Sequence, residues 1–175
     1  MAQRLSNLPI GTRIKFGKHS VNGETAQDII WLVVAKNHSG YPSNSVTLLT
    51  EQLIDIRAAD ATEPDNTNSA RVACGNNNYA LSNIHQWLNK AESTWFVKSH
   101  DADNAPSDAY VSNKTGYYYR PGFLYNFSVV ERSAILHTTI RSILPTVDNK
   151  GLFEDIQAYV TSEFNASFIF PLIMR

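Results

Sequence analysis

No segment narrows the fold of this chain as much as Ile29-Ile30-Trp31-Leu32-Val33-Val34-Ala35, an unbroken apolar run rich in β-branched residues. It is too short for a core helix and long enough for a strand, and its continuity places it centrally in a sheet, covered on both faces. Upstream, Ile10 to Phe16 alternates apolar and polar residues, the pattern of a half-buried strand. Asn22-Gly23 is a turn dipeptide between the two. After a loop by composition at Asn37 to Asn44, Val46 to Thr50 reads as a third short strand, so the N-terminal third is predicted to be a β-meander.

Periodicity then disappears. Ala58 to Asn78 fills with Asp, Asn, Thr, Ser and Pro and reads as one long loop, a length that in a compact domain marks either function or misassigned elements. Leu81, Ile84, Trp87 and Leu88 restore a helical stripe with Ser82 as N-cap, which predicts a helix over Ser82 to Lys90. Trp95-Phe96 continues its apolar face, and a second irregular stretch runs from Ser99 to Gly122. Ser128-Val129-Val130-Glu131 matches the capping box, in which each side chain satisfies the other residue's backbone donor, so a second helix covers Val129 to Leu136. His137 to Leu144 alternates as a strand that Pro145 stops, and Ile156 to Val160 and Phe168 to Ile173 are terminal strand candidates. Pro171 assigns the last of them to an edge. The expected product is a single α+β domain over residues 1–175, a small twisted antiparallel sheet with two helices, in which Trp31 and Trp87 are buried because each lies in phase with an apolar stripe.

Several function classes are disfavoured. The 15 basic and 16 acidic groups nearly cancel, and no Lys or Arg run exists to track phosphates, so nucleic acid is not the expected ligand. No stretch approaches a membrane span, and residues 1–11 hold no apolar run, so a signal peptide and a membrane partner are not expected. The single cysteine, Cys74, excludes internal disulfides and multi-cysteine metal sites, and the histidines 19, 38, 85, 100 and 137 show no pair at ligand spacing. Asp101 to Pro106 begins like a calcium loop but has Pro106 where the turn needs glycine and Ser112 where the bidentate glutamate belongs. No cofactor or metal is therefore expected. Cys74 matches no cysteine-hydrolase signature, no Gly-x-Ser-x-Gly elbow is present, and nothing selects a pair from Glu63, Asp65, Glu92 and Glu154. The expectation is a protein that is not an enzyme.

Recognition fits the composition better, since Asn and Ser occur 16 times each beside 8 Tyr, 8 Phe and 3 Trp, a surface that binds through amides, hydroxyls and rings. The partner-binding candidates are the amide cluster Asn76, Asn77 and Asn78, and the glycine-bounded loop carrying Tyr117, Tyr118, Tyr119 and Arg120. The tyrosines read equally well as a lid over the core, and alternate ones can do both.

The order of Asn37-His-Ser-Gly-Tyr-Pro-Ser-Asn-Ser-Val-Thr-Leu-Leu-Thr50, Glu63-Pro-Asp-Asn66, Gly75-Asn-Asn-Asn-Tyr79, Ser82-Asn-Ile-His-Gln-Trp-Leu-Asn89, Phe127-Ser128 and Ile135-Leu-His-Thr-Thr139 resembles the domain of unknown function 6273, a family abundant in phages and prophages, over about Leu8 to Thr146. The resemblance implies a C-type-lectin-like, formylglycine-generating-enzyme-like fold and a role as a virion or tail-associated protein, placed in the virion or the bacterial host cytoplasm. It implies a protein partner, from the virion or the host. An inhibitor of a host defence protein and a glycan-binding module or enzyme are the alternatives. The usual closing strands of the family are missing after Val160, where the chain instead runs Phe164 to Arg175. That apolar tail is expected to form a strand that either returns within its own subunit or adds to a neighbour's edge, giving a homo-oligomer, and the second is slightly favoured.

Overall fold

The α+β reading of the sequence is realised as strands and short helices whose placement follows from caps, bulges and glycines. The computed structural model describes residues 5–21, 23–76, 78–107, 116–143, 161–166 and 172–174, with side chains up to residue 137. In chain order these are β1 (Arg13–His19), β2 (Gln27–Lys36), β3 (Val46–Thr50), α1 (Ser69–Cys74), α2 (Asn83–Leu88), α3 (Val129–Ala134), β4 (Thr138–Ile143), β5 (Thr161–Ala166) and β6 (Leu172–Met174). The predicted strand at Ile156 to Val160, and Phe168 to Pro171 of the terminal one, lie outside the described residues. The chain divides into two compact units, the first holding Met1–Asp55, Phe123–Thr139 and Asn165–Arg175, the second Ile56–Gly122 and Ile140–Phe164.

In the first unit, β1, β2 and β3 form the expected antiparallel meander, and β6 pairs with β3 to give the order β1-β2-β3-β6. β4 and β5 make a separate two-stranded sheet. β2 is central, but it is not covered on both faces as its continuous apolar run suggested. Ile29, Trp31 and Val33 are buried, Ile30 and Leu32 are half-buried, and Val34 is exposed. An antiparallel meander supplies neighbours in the plane of the sheet and a core on one side only, so alternation reappears in the burial although the sequence lacks it. Trp31 is buried as predicted, and its indole N–H donates to the Phe16 carbonyl at 2.7 Å.

β1 starts later and runs further than Ile10 to Phe16. Gly17, at φ +66°, sits in a bulge where the β1–β2 register shifts between Lys15 and Lys18, so both Phe16 and Gly17 are buried. The glycine is required twice over: its φ is left-handed, and a Cβ there would stand 2.2 Å from the Phe127 ring. Its N–H donates at 2.7 Å to Glu131 Oε1, while Glu131 Oε2 receives the Ser128 N–H at 2.7 Å and Ser128 Oγ receives the Glu131 N–H at 3.2 Å. The predicted capping box is thus present, and its glutamate also ties α3 to β1. Burial opposes the Glu131 charge, yet the Gly17 and Ser128 donors and the Lys18 charge hold its carboxyl below the ordinary range.

In the second unit, α2 keeps the Ser82 cap, with Oγ receiving the His85 N–H at 3.3 Å, and ends at Leu88, two residues before the predicted Lys90. Trp87 is buried as predicted. The expected uninterrupted loop over Ala58 to Asn78 is corrected: it contains α1, capped by Asn68, whose Oδ1 receives the Ala70 N–H at 2.9 Å. With α1 the described residues hold three short α-helices rather than two. Val72 is the one large aliphatic side chain in Ser69–Cys74, so α1 has no apolar stripe to read.

Candidate functional site

The two sequence candidates, the amide cluster and the tyrosine loop, meet different fates in the second unit. Asn76 is buried, with its N–H donating to Asp60 Oδ2 at 2.6 Å and its Oδ1 receiving the Asn78 N–H at 2.9 Å. Asn78 in turn caps the short turn that follows, its Oδ1 receiving the Ala80 N–H at 3.1 Å. Asn77 lies outside the described residues. Asn76 faces inward because Gly75, at φ +75°, lets the backbone pass so close to Ala61 that a Cβ would stand 2.2 Å from the Ala61 carbonyl oxygen.

Asp60 is the hub of this interior network. Besides Asn76 it receives the Asn83 N–H at 2.8 Å, while Asn83 Oδ1 receives the Ala61 N–H at 2.8 Å and Asn83 Nδ2 donates to Asp103 Oδ1 at 3.3 Å. Asp103 closes the set by receiving the Ser99 N–H at 2.7 Å on its other oxygen. Burial, joined by the charges of Asp103 and Glu63, pushes the Asp60 carboxyl up to about 7 against the pull of its two N–H donors. These side chains replace the ladder hydrogen bonds that an irregular backbone cannot make with itself. Sequence reading did not single out Asp60, and met Asp103 only within the rejected calcium-like loop and Asn83 only within the Ser82 to Asn89 segment. The nearest signal was Asn83 beside a helix cap, which hints at a side chain turned inward. Among the described residues no group of His, Cys, Asp and Glu is arranged to hold a metal ion.

The tyrosine loop divides into one inward ring and two outward ones. Tyr117 points in: its ring stacks on Trp95 at 5.1 Å and 7°, meets Trp87 edge-on at 5.4 Å, and its hydroxyl donates to the Ala58 carbonyl at 3.0 Å. The Arg57 guanidinium lies 5.7 Å from both the Trp87 and the Tyr117 rings. Burial raises the Tyr117 hydroxyl well above its ordinary range, so it remains a donor. Tyr118 and Tyr119 point out, 39% and 86% exposed. Tyr118 meets Phe96 edge-on at 6.0 Å and Tyr119 at 4.9 Å, and Val97, next to Phe96, is exposed as well. Arg120 is half-buried, its N–H closing a turn onto the Tyr117 carbonyl at 3.0 Å. The loop cannot drift from α2, because the Trp87 indole N–H donates to the Pro121 carbonyl at 2.9 Å and Gly122 approaches Lys90 so closely that a Cβ would stand 2.3 Å from its carbonyl oxygen. What results is an aromatic ridge of Phe96, Tyr118 and Tyr119 on a rigid aromatic floor. Phe96 and Val97 were not among the sequence candidates, since their distance from the loop in the chain hides that they adjoin it.

A family model described as "Domain of unknown function (DUF6273)" matches residues 44–162, about two thirds of the chain. The chain belongs to this family. The DUF6273 match starts at β3 rather than near Leu8, where the resemblance was expected to begin, and it takes in the whole second unit up to residue 162, the interior network and the ridge included. No curated protein and no solved structure matches the chain. Among the described residues of this DUF6273 chain, no helix is long and apolar enough to cross a membrane.

Proposed function

We propose that this DUF6273 chain works by protein–protein interaction through the Phe96–Tyr118–Tyr119 ridge, as a virion or tail-associated component of a phage or prophage with a C-type-lectin-like architecture. The phage setting, the lectin-like fold and a place in the virion or host cytoplasm rest on the sequence resemblance. The binding mode rests on one observation: Tyr119 is 86% exposed while Tyr118, itself edge-on to Phe96, meets it edge-on. A large ring kept in place before binding buries area with little loss of side-chain entropy, which is why tyrosine recurs at binding hot spots. Tyr117 and Asn76 serve the interior, so the surface assigned to a partner shrinks from the sequence candidates to Tyr118 and Tyr119, with Arg120 at the margin and Phe96 and Val97 added.

A photo-crosslinking amino acid in place of Tyr119, in cells producing the phage, tests this. The expected result is one discrete protein adduct that is absent when the same group replaces Asn44, an exposed loop residue of the first unit. A virion protein in that adduct supports the structural role, and a host defence protein the inhibitor. Identical patterns at the two positions would sink the ridge as a binding surface, and saturable glycan binding lost in Tyr119→Ala would replace the protein partner with a sugar.

A further inference from the structure

A second arrangement in the same unit uses none of the ridge residues. Ser99 Oγ lies 2.9 Å from His100 Nδ1, and His100 Nε2 lies 2.8 Å from Glu63 Oε1. Glu63 is wholly buried, and its other oxygen receives a hydrogen bond from Asn66 Nδ2. With both carboxylate oxygens accepting, the ring proton belongs on Nε2, and the lone pair on Nδ1 is left for the Ser99 hydroxyl proton. The Leu81 carbonyl, 3.5 Å from that hydroxyl, is too long an acceptor to compete. An oxygen with a base in reach, and a buried carboxylate orienting that base, is the constellation that activates a serine.

The three groups are fixed by backbone bonds that owe nothing to a substrate. Ser99 N–H donates to Asp103 Oδ2 at 2.7 Å and Asp103 N–H to the His100 carbonyl at 3.0 Å, so buried Asp103 clamps the turn carrying the serine and the histidine. Glu63 N–H donates to the Arg71 carbonyl at 3.1 Å. Ser99 is exposed, and the His100 side chain is 27% exposed against 0% for Glu63. An electrophile can therefore reach Oγ while the carboxylate end, where an imidazolium would be stabilised, stays dry.

We propose that Ser99 is a catalytic nucleophile toward carboxylic esters, with His100 as its general base and Glu63 as the positioning carboxylate. Ser99 Oγ bonds to the ester carbonyl carbon as its proton passes to His100 Nδ1. The carbon–alkoxy bond then breaks, and the alcohol leaves with that proton. Water adds to the acyl-serine, giving a proton to Nδ1, and the acid departs as Ser99 Oγ takes the proton back. An ester suits the site because an alcohol leaves the tetrahedral carbon more readily than an amine does and so asks less of the imidazole. The inference goes beyond the binding reading, does not depend on it, and gives the chain a chemical step that its sequence motifs did not indicate.

A fluorophosphonate probe tests it on the full chain: Oγ bonds to phosphorus, fluoride leaves, and the proton goes to His100. Peptide mass spectrometry should find Ser99 labelled about 10²-fold faster than the exposed Ser93, as base assistance implies, with that advantage lost in His100→Gln. Because Glu63→Gln is liable to unfold the unit, the second variant is Ser99→Cys, whose thiol should alkylate at least about 10-fold faster than the exposed Cys74 of the same chain. Acyl-enzyme formation from p-nitrophenyl acetate should appear as a burst that Ser99→Ala abolishes. Labelling of Ser99 no faster than Ser93, or a rate unchanged in folded His100→Gln, overturns the proposal.

Discussion

Asp60 is a buried carboxyl whose proton affinity burial raises, and its behaviour with pH follows. Its carboxyl is raised from 3.8 to about 7 in the folded chain, first by burial. The folded state therefore holds the proton more tightly than the unfolded one. The stability this contributes is complete below pH 4 and is lost as pH rises toward 7, by on the order of 2–4 kcal/mol. Glu131 and Asp28 work in the opposite sense, since their carboxyls are lowered and their contributions vanish in acid. The informative measurement is thus the difference between wild type and Asp60→Asn, followed by the fluorescence of Trp87 and Trp95 in denaturant between pH 4 and 7. The variant should be less stable at every pH, because an amide N–H₂ then faces a backbone donor, but its stability should no longer fall across that window. A parallel slope in both proteins would remove Asp60 from the account. Thermal melts with and without chelator should superimpose, since both Asp103 oxygens are already taken by Ser99 and Asn83. A melting temperature that fell with chelator would restore the calcium reading of that loop.

At the scale of elements, caps and bulges decide where the helices and strands stand. Gly17→Ala should cost about 2–4 kcal/mol, from the left-handed φ and the collision with Phe127. The double variant with Phe127→Leu should recover part of that loss, and a midpoint unchanged in Gly17→Ala would contradict the bulge. Trp87→Ala should cost about 3–5 kcal/mol, because the ring is 3% exposed and its N–H anchors Pro121. Loss of that anchor should also release the loop bearing Tyr118 and Tyr119, visible as faster amide exchange over 116–122. Asn68→Ala should cost only about 1 kcal/mol, the usual price of a lost cap. Ser82 and the Ser128–Glu131 pair announced their helices because each cap preceded a readable signal. Asn68 did not, since several Asn and Asp residues in the same stretch offer equal capping chemistry and only packing selects one.

At the scale of the whole molecule, the C-terminal strand has the most to say. β6 pairs antiparallel with β3 of its own chain, Val46 opposite Met174 and Leu48 opposite Leu172, the intramolecular one of the two outcomes expected for the tail. Deleting Leu172 to Arg175 bares the β3 edge, and the truncated chain should self-associate in sedimentation with rising concentration, as an unpaired edge recruits another strand. A truncated chain that stays monomeric and equally stable would show β6 to be dispensable. Local chemistry alone determined the meander, the capped helices α2 and α3 and the burial of Trp31 and Trp87, because apolar periodicity and capping act within a few residues of chain. Only the tertiary structure decided that Asn76 and Tyr117 turn inward while Tyr119 turns out, and that β2 is covered on one face. It alone joined Glu63 to His100 and Asp60 to Asn83. In a unit with so little regular structure, which polar groups are buried depends on partners 23 to 59 residues away in the chain, and no local pattern records a pairing at that distance.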